Sequence, residues 1–474
     1  MGTHEAGVLH SPGYGGVAAV PAWLRPPEDV NALLPSLWAA TVHRGADGAL
    51  RVGGLDVRDL AEEHGTPAYV LDEVDFRTRA VAFRDAFDGA FGGRARVHYA
   101  SKAFTCTGVV RWIEEDGLGL DVCTGGELAI ALRAGMPGNR ITLHGNNKSP
   151  AELRRALLAG AGRIVVDSHS EIDLLAGLVE ELGVEASVLL RITVGVEAHT
   201  HEYMATAHED QKFGLSLASG HAESAARRVL DHPRLRLRGL HSHIGSQIFD
   251  TGGFEVSARR LLELCARIGG WTGTPVEEID LGGGYGIAYT SEHDPLEPKA
   301  LADQMAHIVQ RECRGLGIDV PRVTVEPGRA VAGPSAFTLY SAGTVKDVPL
   351  DHGTRRRYVS VDGGMSDNVR TALYDADYSC TLAGRTSDAE PVLTRVVGKH
   401  CESGDVIVRD EFLPGDIVRG DLLAVPGTGA YCRSLASQYN QVPRPPVLSV
   451  RDGRVTTLLR RETEDDLLGL DPGA

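Results

Sequence analysis

A lysine closes the short run Tyr99-Ala100-Ser101-Lys102, and far downstream stand Gly282-Gly283-Gly284 and then Glu326-Pro327-Gly328-Arg329. A lysine amine can condense with an aldehyde. Glycine N–H groups can approach a phosphate closely. A carboxylate can keep a pyridine nitrogen protonated, so that the ring draws electrons. Together these are the parts needed to hold pyridoxal phosphate. Each part has a plainer alternative when taken singly. Most lysines are solvated, although one that follows an apolar-rich strand is costly unless it is used. The glycine run lacks G-x-G-x-x-G spacing and no Lys-Ser/Thr follows it, so it could be a tight turn; its place after Ile279-Asp280-Leu281 favours a phosphate. Glu326 and Arg329 could form a local salt bridge, or could serve a ring nitrogen and an anion.

His241-Ser242-His243-Ile244-Gly245-Ser246 adds two histidines that share one face of a strand. That spacing could suggest a metal, but no Glu-x-x-His or further ligand pair accompanies it, so no metal is expected. A ring packed against a cofactor ring, with Ser246 donating to phosphate, fits better.

These residues need elements to position them. Strand-like runs occur at 97–100, 118–122, 141–144, 164–167, 188–193, 237–243, 278–281 and 323–326, and most are separated by stretches of helical apolar spacing such as 127–134, 151–158, 171–182, 256–268 and 300–316. This alternation predicts an α/β fold with a (β/α)8 barrel; a doubly wound sheet is the alternative. Lys102, His144, Asp167, Arg191, His243, the glycine cluster and Glu326 all fall at or just after strand C-terminal ends, the face on which barrels carry their sites. Beyond about residue 333, short runs at 358–361, 406–408, 422–425 and 447–450 are separated by Gly, Pro and Asp turns and predict an all-β domain. The run 67–71 can join that domain, which makes the barrel an insertion. The expected organisation is a flexible extension over 1–35, a segment over 36–72 that joins the β domain, a pyridoxal-phosphate-binding barrel over 73–333 and a C-terminal β domain over 334–474.

The chain has 474 residues, 42% of them hydrophobic, and a formal net charge of -16. It is long enough for two or three domains, and its acidity disfavours nucleic acid and anionic membranes as partners. Seven cysteines without a C-x-x-C pair argue against a disulfide framework or a zinc site. The N-terminus has no basic start followed by an apolar core, and a cytoplasmic location is expected.

Longer motifs then carry a resemblance: YASKA at 99–103, DVCTGGEL at 121–128, HGNNKS at 144–149, GVEAHTHEY at 195–203, QKFGL at 211–215, GLHSHIGSQI at 239–248, DLGGGYGI at 280–287, EPGRA at 326–330, VDGGMSDNVRTALYDADY at 361–378, CESGD at 401–405 and TGAYCRSLASQYN at 428–440. The chain resembles the alanine-racemase-like, group IV pyridoxal-phosphate decarboxylases, and within them the diaminopimelate decarboxylase family, from about residue 50 to 459. The resemblance implies that Lys102 holds the cofactor, that His243 stacks on its ring and that Glu326 pairs with the ring nitrogen. It implies further that Ser246, Gly283, Gly284 and Arg329 surround the phosphate, with Tyr431 close by. Arg329, Arg370, Tyr374 and Tyr431 would hold the distal carboxylate of a small amino-acid substrate. Cys401 and Glu402 would come from the partner in a homodimer with shared sites, Glu402 near the distal ammonium and Cys401 near the reacting carbon. Either Cys401 or Lys102 would return the final proton. The chain departs from the family at Thr193-Val194, where Asn-Pro is more frequent, and at Cys432, which is not typical. Related enzymes acting on ornithine, arginine, lysine or carboxynorspermidine are the alternative, but their substrates give a paired Arg370 and Glu402 less purpose. A racemase would pair the ring nitrogen with a cation. A non-catalytic relative would usually have lost Lys102 or Cys401.

Overall fold

The computed structural model of the chain describes residues 20–196, 212–349 and 355–473. The motif at 195–203 and the first residue of QKFGL therefore lie partly outside the described residues, as do positions 1–19 of the expected N-terminal extension. Two compact units divide the chain: Arg77–Gly286 with Pro295–Val331, and the chain up to Phe76 with Ile287–Asp294 and everything from Ala332 onward.

The first unit is a closed barrel. Its eight parallel strands are Ala95–Ala100, Gly119–Val122, Ile141–Leu143, Arg163–Val166, Ala186–Thr193, Leu235–His241, Glu278–Asp280 and Arg322–Val325. Each pairs with the next, and Val323 pairs back to Ala95 to close the ring. The strands are short and rich in Val, Ile and Leu because both faces are covered; the strands over 119–122 and 141–143 are buried at every position. The connecting helices start and stop where the chain supplies caps. Thr124 and Ser168 accept the N–H groups of Glu127 and Glu171, and Ser149 forms a capping box with Glu152 ahead of Pro150–Leu158. Gly135, Gly183, Gly273 and Gly317 end four helices in the left-handed conformation. A two-residue strand, Leu215–Ser216, extends the sheet beside Ala186–Thr193.

The second unit is mostly sheet. Its longest path runs Val406–Pro414, Pro391–Val397, Arg355–Val361, Ala336–Pro349, Ala68–Asp72, Val447–Arg451 and Arg454–Leu459. Ala68–Asp72 lies antiparallel to Ala336–Pro349 and parallel to Val447–Arg451, so an N-terminal strand does complete the C-terminal sheet. The strand Ala336–Pro349 escapes the sequence pattern because its register shifts between Ala342 and Val345, which interrupts the alternation. Trp38, Leu50, Val52, Val70, Phe337, Leu339 and Val450 form this unit's core; each large apolar side chain contributes about 1.5–3 kcal/mol. Within the span expected to be a flexible extension, Asn31 is tied down: its amide exchanges hydrogen bonds with the backbone of Ser387, both at 2.9 Å.

Candidate active site

At the C-terminal end of the barrel, eight strands bring together residues that are far apart in sequence. Glu326 follows the eighth strand and is 4% exposed. His144, after the third strand, places Nε2 3.0 Å from Glu326 Oε1, and His241, ending the sixth, places Nε2 3.5 Å from the same oxygen. The two imidazoles meet edge to face at 4.9 Å. Asp121 Oδ1 lies 3.4 Å from His144 Nε2. Burial raises the cost of charge on Glu326, but the imidazoles of His144 and His241 outweigh it and hold the carboxyl well below the usual carboxylate range. Asp280 behaves oppositely: burial first, and the Glu326 charge second, push it well above that range. Burial also lifts Asp121 to about 7 against the pull of His144. The outcome is one ionised carboxylate among acids that resist ionising.

The loops above this pit are locked to one another. Gly283 N–H donates to His243 Nδ1 at 3.4 Å, which leaves Nε2 of that ring to carry a proton. Burial, and then the Lys102 charge, push the His243 pKa well below its ordinary value. Ile248 N–H donates to Gly284 O at 3.0 Å, and Gly286 N–H donates back to Ile248 O at 2.9 Å. No side chain fits on the cluster. A Cβ on Gly283 would stand 2.1 Å from the Glu326 carbonyl oxygen, and one on Gly284 would stand 2.3 Å from that of Gly245, at a φ of +105° that already favours glycine. Arg329 Nη2 donates to Ser246 Oγ at 2.9 Å. Lys102 is exposed directly after the first strand, close enough for its charge to act on Asp121 and His243.

Several buried atoms here receive no well-aligned hydrogen bond among the described residues: Glu326 Oε1, despite the two imidazole nitrogens within 3.5 Å, both ring nitrogens of His241, and Asp280 Oδ2. Such atoms are costly unless something completes them. Pyridoxal phosphate fits the donor set: an amine in Lys102, an ionised acceptor for a protonated ring nitrogen in Glu326, and the Ser246–Arg329 pair beside a glycine cradle for phosphate. The ligand atoms of His144, His241 and Glu326 also lie within 4.8 Å of one another, a spacing that could take a cation. Sequence spacing pointed to His241 with His243, whereas the third strand supplies His144 instead and His243 faces the glycine loop. Glu326 cannot serve both a metal and a ring nitrogen.

The sheet unit carries the remaining expected residues. Arg370, 5% exposed, opens the helix Arg370–Tyr374. Its Cζ lies 5.4, 5.6 and 5.7 Å from the rings of Tyr289, Tyr374 and Tyr431. Tyr431 adopts a φ of +61°, an uncommon conformation for a residue with a side chain. Cys401 and Glu402 lie in an exposed turn, where Glu402 Oε1 accepts from Ser403 Oγ and Gly404 N, each at 3.3 Å. The structure thus places Lys102, His243, Ser246, Gly283, Gly284, Glu326 and Arg329 in the barrel, and Arg370, Tyr374 and Tyr431 in the sheet unit, where Cys401 and Glu402 lie in an exposed turn. Sequence reasoning missed Asp121 and Asp280 in the pit and Tyr289 and Tyr378 beside Arg370. Asp280 ends its barrel strand and Asp121 stands one residue before the end of its own, a signal that could have found them; the tyrosines sit in loops whose path only the fold reveals.

Residues 74–333 match the family described as "Pyridoxal-dependent decarboxylase, pyridoxal binding domain". A diaminopimelate decarboxylase of Mycobacterium tuberculosis is 55% identical over 93% of this chain and 98% of its own length. One of Bacillus subtilis is 45% identical over 91% and 97%. The chain belongs to the diaminopimelate decarboxylase family. A solved diaminopimelate decarboxylase of M. jannaschii, in complex with L-lysine, superposes with a TM-score of 0.85 at 32% identity and covers 92% of this chain and 98% of its own. Membership makes pyridoxal phosphate the cofactor and the chain a carboxy-lyase. No described helix is long and apolar enough to cross a membrane.

Proposed function

We infer that the protein removes carbon dioxide from one end of meso-2,6-diaminopimelate and leaves L-lysine, the last step of lysine biosynthesis. The observation that carries this reading is Glu326, ionised and buried at the barrel centre with an oxygen that receives no well-aligned hydrogen bond, in a chain whose curated relatives are named diaminopimelate decarboxylases. Pyridoxal phosphate supplies, when bound, a sink for the electron pair left behind by carbon dioxide. Lys102 would hold its aldehyde carbon and yield to the substrate amine. Glu326 would keep the ring nitrogen protonated, with His243 against the ring and Ser246, Gly283, Gly284 and Arg329 around the phosphate; the Gly283 N–H already serves His243, so Gly284 is the freer donor of the two. Arg370, with Tyr374, Tyr431 and Arg329, would grip the carboxylate that does not react, and Glu402 the distal ammonium. That grip directs binding energy into orienting the carboxylate that leaves. Cys401 Sγ or Lys102 Nζ would return a proton to the reacting carbon. A homodimer with shared sites would account for the exposure of Cys401 and Glu402. Seven free cysteines suit a cytoplasmic enzyme.

The test is carbon dioxide release from meso-diaminopimelate set beside L-lysine, L-ornithine and L-arginine. Turnover should be confined to meso-diaminopimelate. Faster release from ornithine or arginine would move the protein to the alternative group of decarboxylases.

A further inference from the structure

Arg370 is held by a ring of hydrogen bonds that starts and ends on itself. Its Nε donates to the Tyr378 hydroxyl at 2.8 Å. That hydroxyl lies 3.6 Å from Cys432 Sγ, and Cys432 Sγ lies 3.6 Å from Asn368 Oδ1. The same Asn368 oxygen accepts the Arg370 backbone N–H at 3.3 Å. Chemistry sets the direction of the chain. A guanidinium has no acceptor, so it must donate to Tyr378; the phenol proton is then available to sulfur, and the thiol proton to Asn368. All four residues are buried. Burial first, and Cys432 next, keep the Tyr378 phenol protonated well beyond its ordinary range, as the relay requires.

The consequence lies at the other end of the guanidinium. With Nε committed inward, only the Nη1–Nη2 edge can meet a carboxylate in a bidentate manner. Among the described residues the guanidinium makes no other hydrogen bond and no ion pair, although a buried cation without an anion is costly. The tyrosine rings around it supply π faces but no anion to neutralise it. Such a group is incomplete until an anion arrives in one particular orientation.

We propose that Tyr378 and Cys432 are positioning residues: with Asn368 they fix the Arg370 fork, and so set how tightly the enzyme grips the carboxylate that does not react. Cys432 is the middle link. The inference rests on the reading of Arg370 as the distal-carboxylate ligand, and its test separates the two.

L-lysine retains the unreacted carboxylate, and cadaverine is the same diamine without it. Calorimetry on the full-length, cofactor-loaded protein should show that Tyr378→Phe weakens L-lysine about tenfold, the effect of one hydrogen bond to a charged group, while cadaverine changes less than about twofold. Cys432→Ala should weaken L-lysine about two- to threefold, since thiol hydrogen bonds are weak, and Cys432→Ser, which keeps a donor and an acceptor, should bind more tightly than the alanine variant. Equal losses for both ligands would mean that Tyr378 serves the fold alone, and would overturn the proposal. Arg370→Ala is the control. If it leaves L-lysine binding intact, the reading of Arg370 fails. If it abolishes L-lysine binding while Tyr378→Phe changes nothing, only the positioning inference fails. Should Tyr378→Phe not fold, the serine and alanine variants at Cys432 decide, and identical affinities for the two would overturn the proposal.

Discussion

The barrel pit and the Arg370 cage both bury charge, and they complete it in opposite ways. In the pit, carboxylates and imidazoles crowd one another, and several of their atoms receive no well-aligned hydrogen bond among the described residues. In the cage, hydrogen bonds tie down the backbone and Nε of one arginine and leave only its outer edge to act. The first arrangement stores electrostatic tension that a cofactor can relieve. The second removes freedom, so that an anion bound there would pay little ordering entropy. On the proposed reading chemistry belongs to the pit and recognition to the cage, and substitutions should divide along that line.

The largest effect should come from Lys102. Lys102→Ala should abolish both turnover and the visible absorbance of bound cofactor, and borohydride reduction of the unmodified protein should leave the cofactor's mass on the peptide that carries Lys102. Normal turnover in Lys102→Ala would remove that residue from the chemistry. Glu326→Gln should follow. The variant should bind cofactor yet lower kcat by about 10²-fold or more with little change in substrate affinity, as a group acting on the reacting electrons does. A rise in KM alone would transfer Glu326 from the chemistry of the pit to recognition.

Subunit mixing sharpens the comparison at its border. Lys102→Ala and Cys401→Ala proteins should each be nearly inactive. Mixed dimers would have one site with both defects and one with neither, so random exchange should restore about one quarter of the activity of a two-fold dimer. No recovery, with exchange confirmed by mass, would place Cys401 in its own subunit's site.

The smallest effect concerns pH, and its sign differs between the two units. His98, in the barrel, is pushed by burial from 6.5 to about 4. Between those values the unfolded chain binds the extra proton, so this contribution is intact above pH 6.5 and is lost as pH falls toward 4, by about 3 kcal/mol at most. His98→Gln should flatten that acid limb of the unfolding curve. Asp367, in the sheet unit beside Tyr340, is lifted by burial from 3.8 to about 7. There the folded state holds the extra proton, so stability falls as pH rises through that window, and Asp367→Asn should flatten the opposite limb. Parallel slopes in both variants, measured by denaturant titration, would erase the distinction.

Eight strands, the helices between them and the placement of Lys102, His243 and Glu326 at strand ends were legible in the sequence, because short apolar runs in alternation with 3.6-residue periodicity leave few topologies open. Arg370, Cys401 and Glu402 were not legible in that physical sense. Arg370 opens a five-residue helix and Cys401 and Glu402 lie in a turn between strands of a sheet with shifted registers, and only family resemblance singled them out. What residue types alone determined was the repertoire: an amine, a carboxylate, a glycine run and an arginine suited to a phosphorylated aldehyde cofactor. The tertiary structure decided which of them act together. It brought His144 and His241 against Glu326 from the third, sixth and eighth strands, made Asp280 an acid that resists ionising, and joined Tyr378, Cys432 and Asn368 into one ring on Arg370. Charge states and hydrogen-bond direction depend on distances of 3 to 4 Å between residues tens to hundreds of positions apart, and a linear pattern carries no such distances.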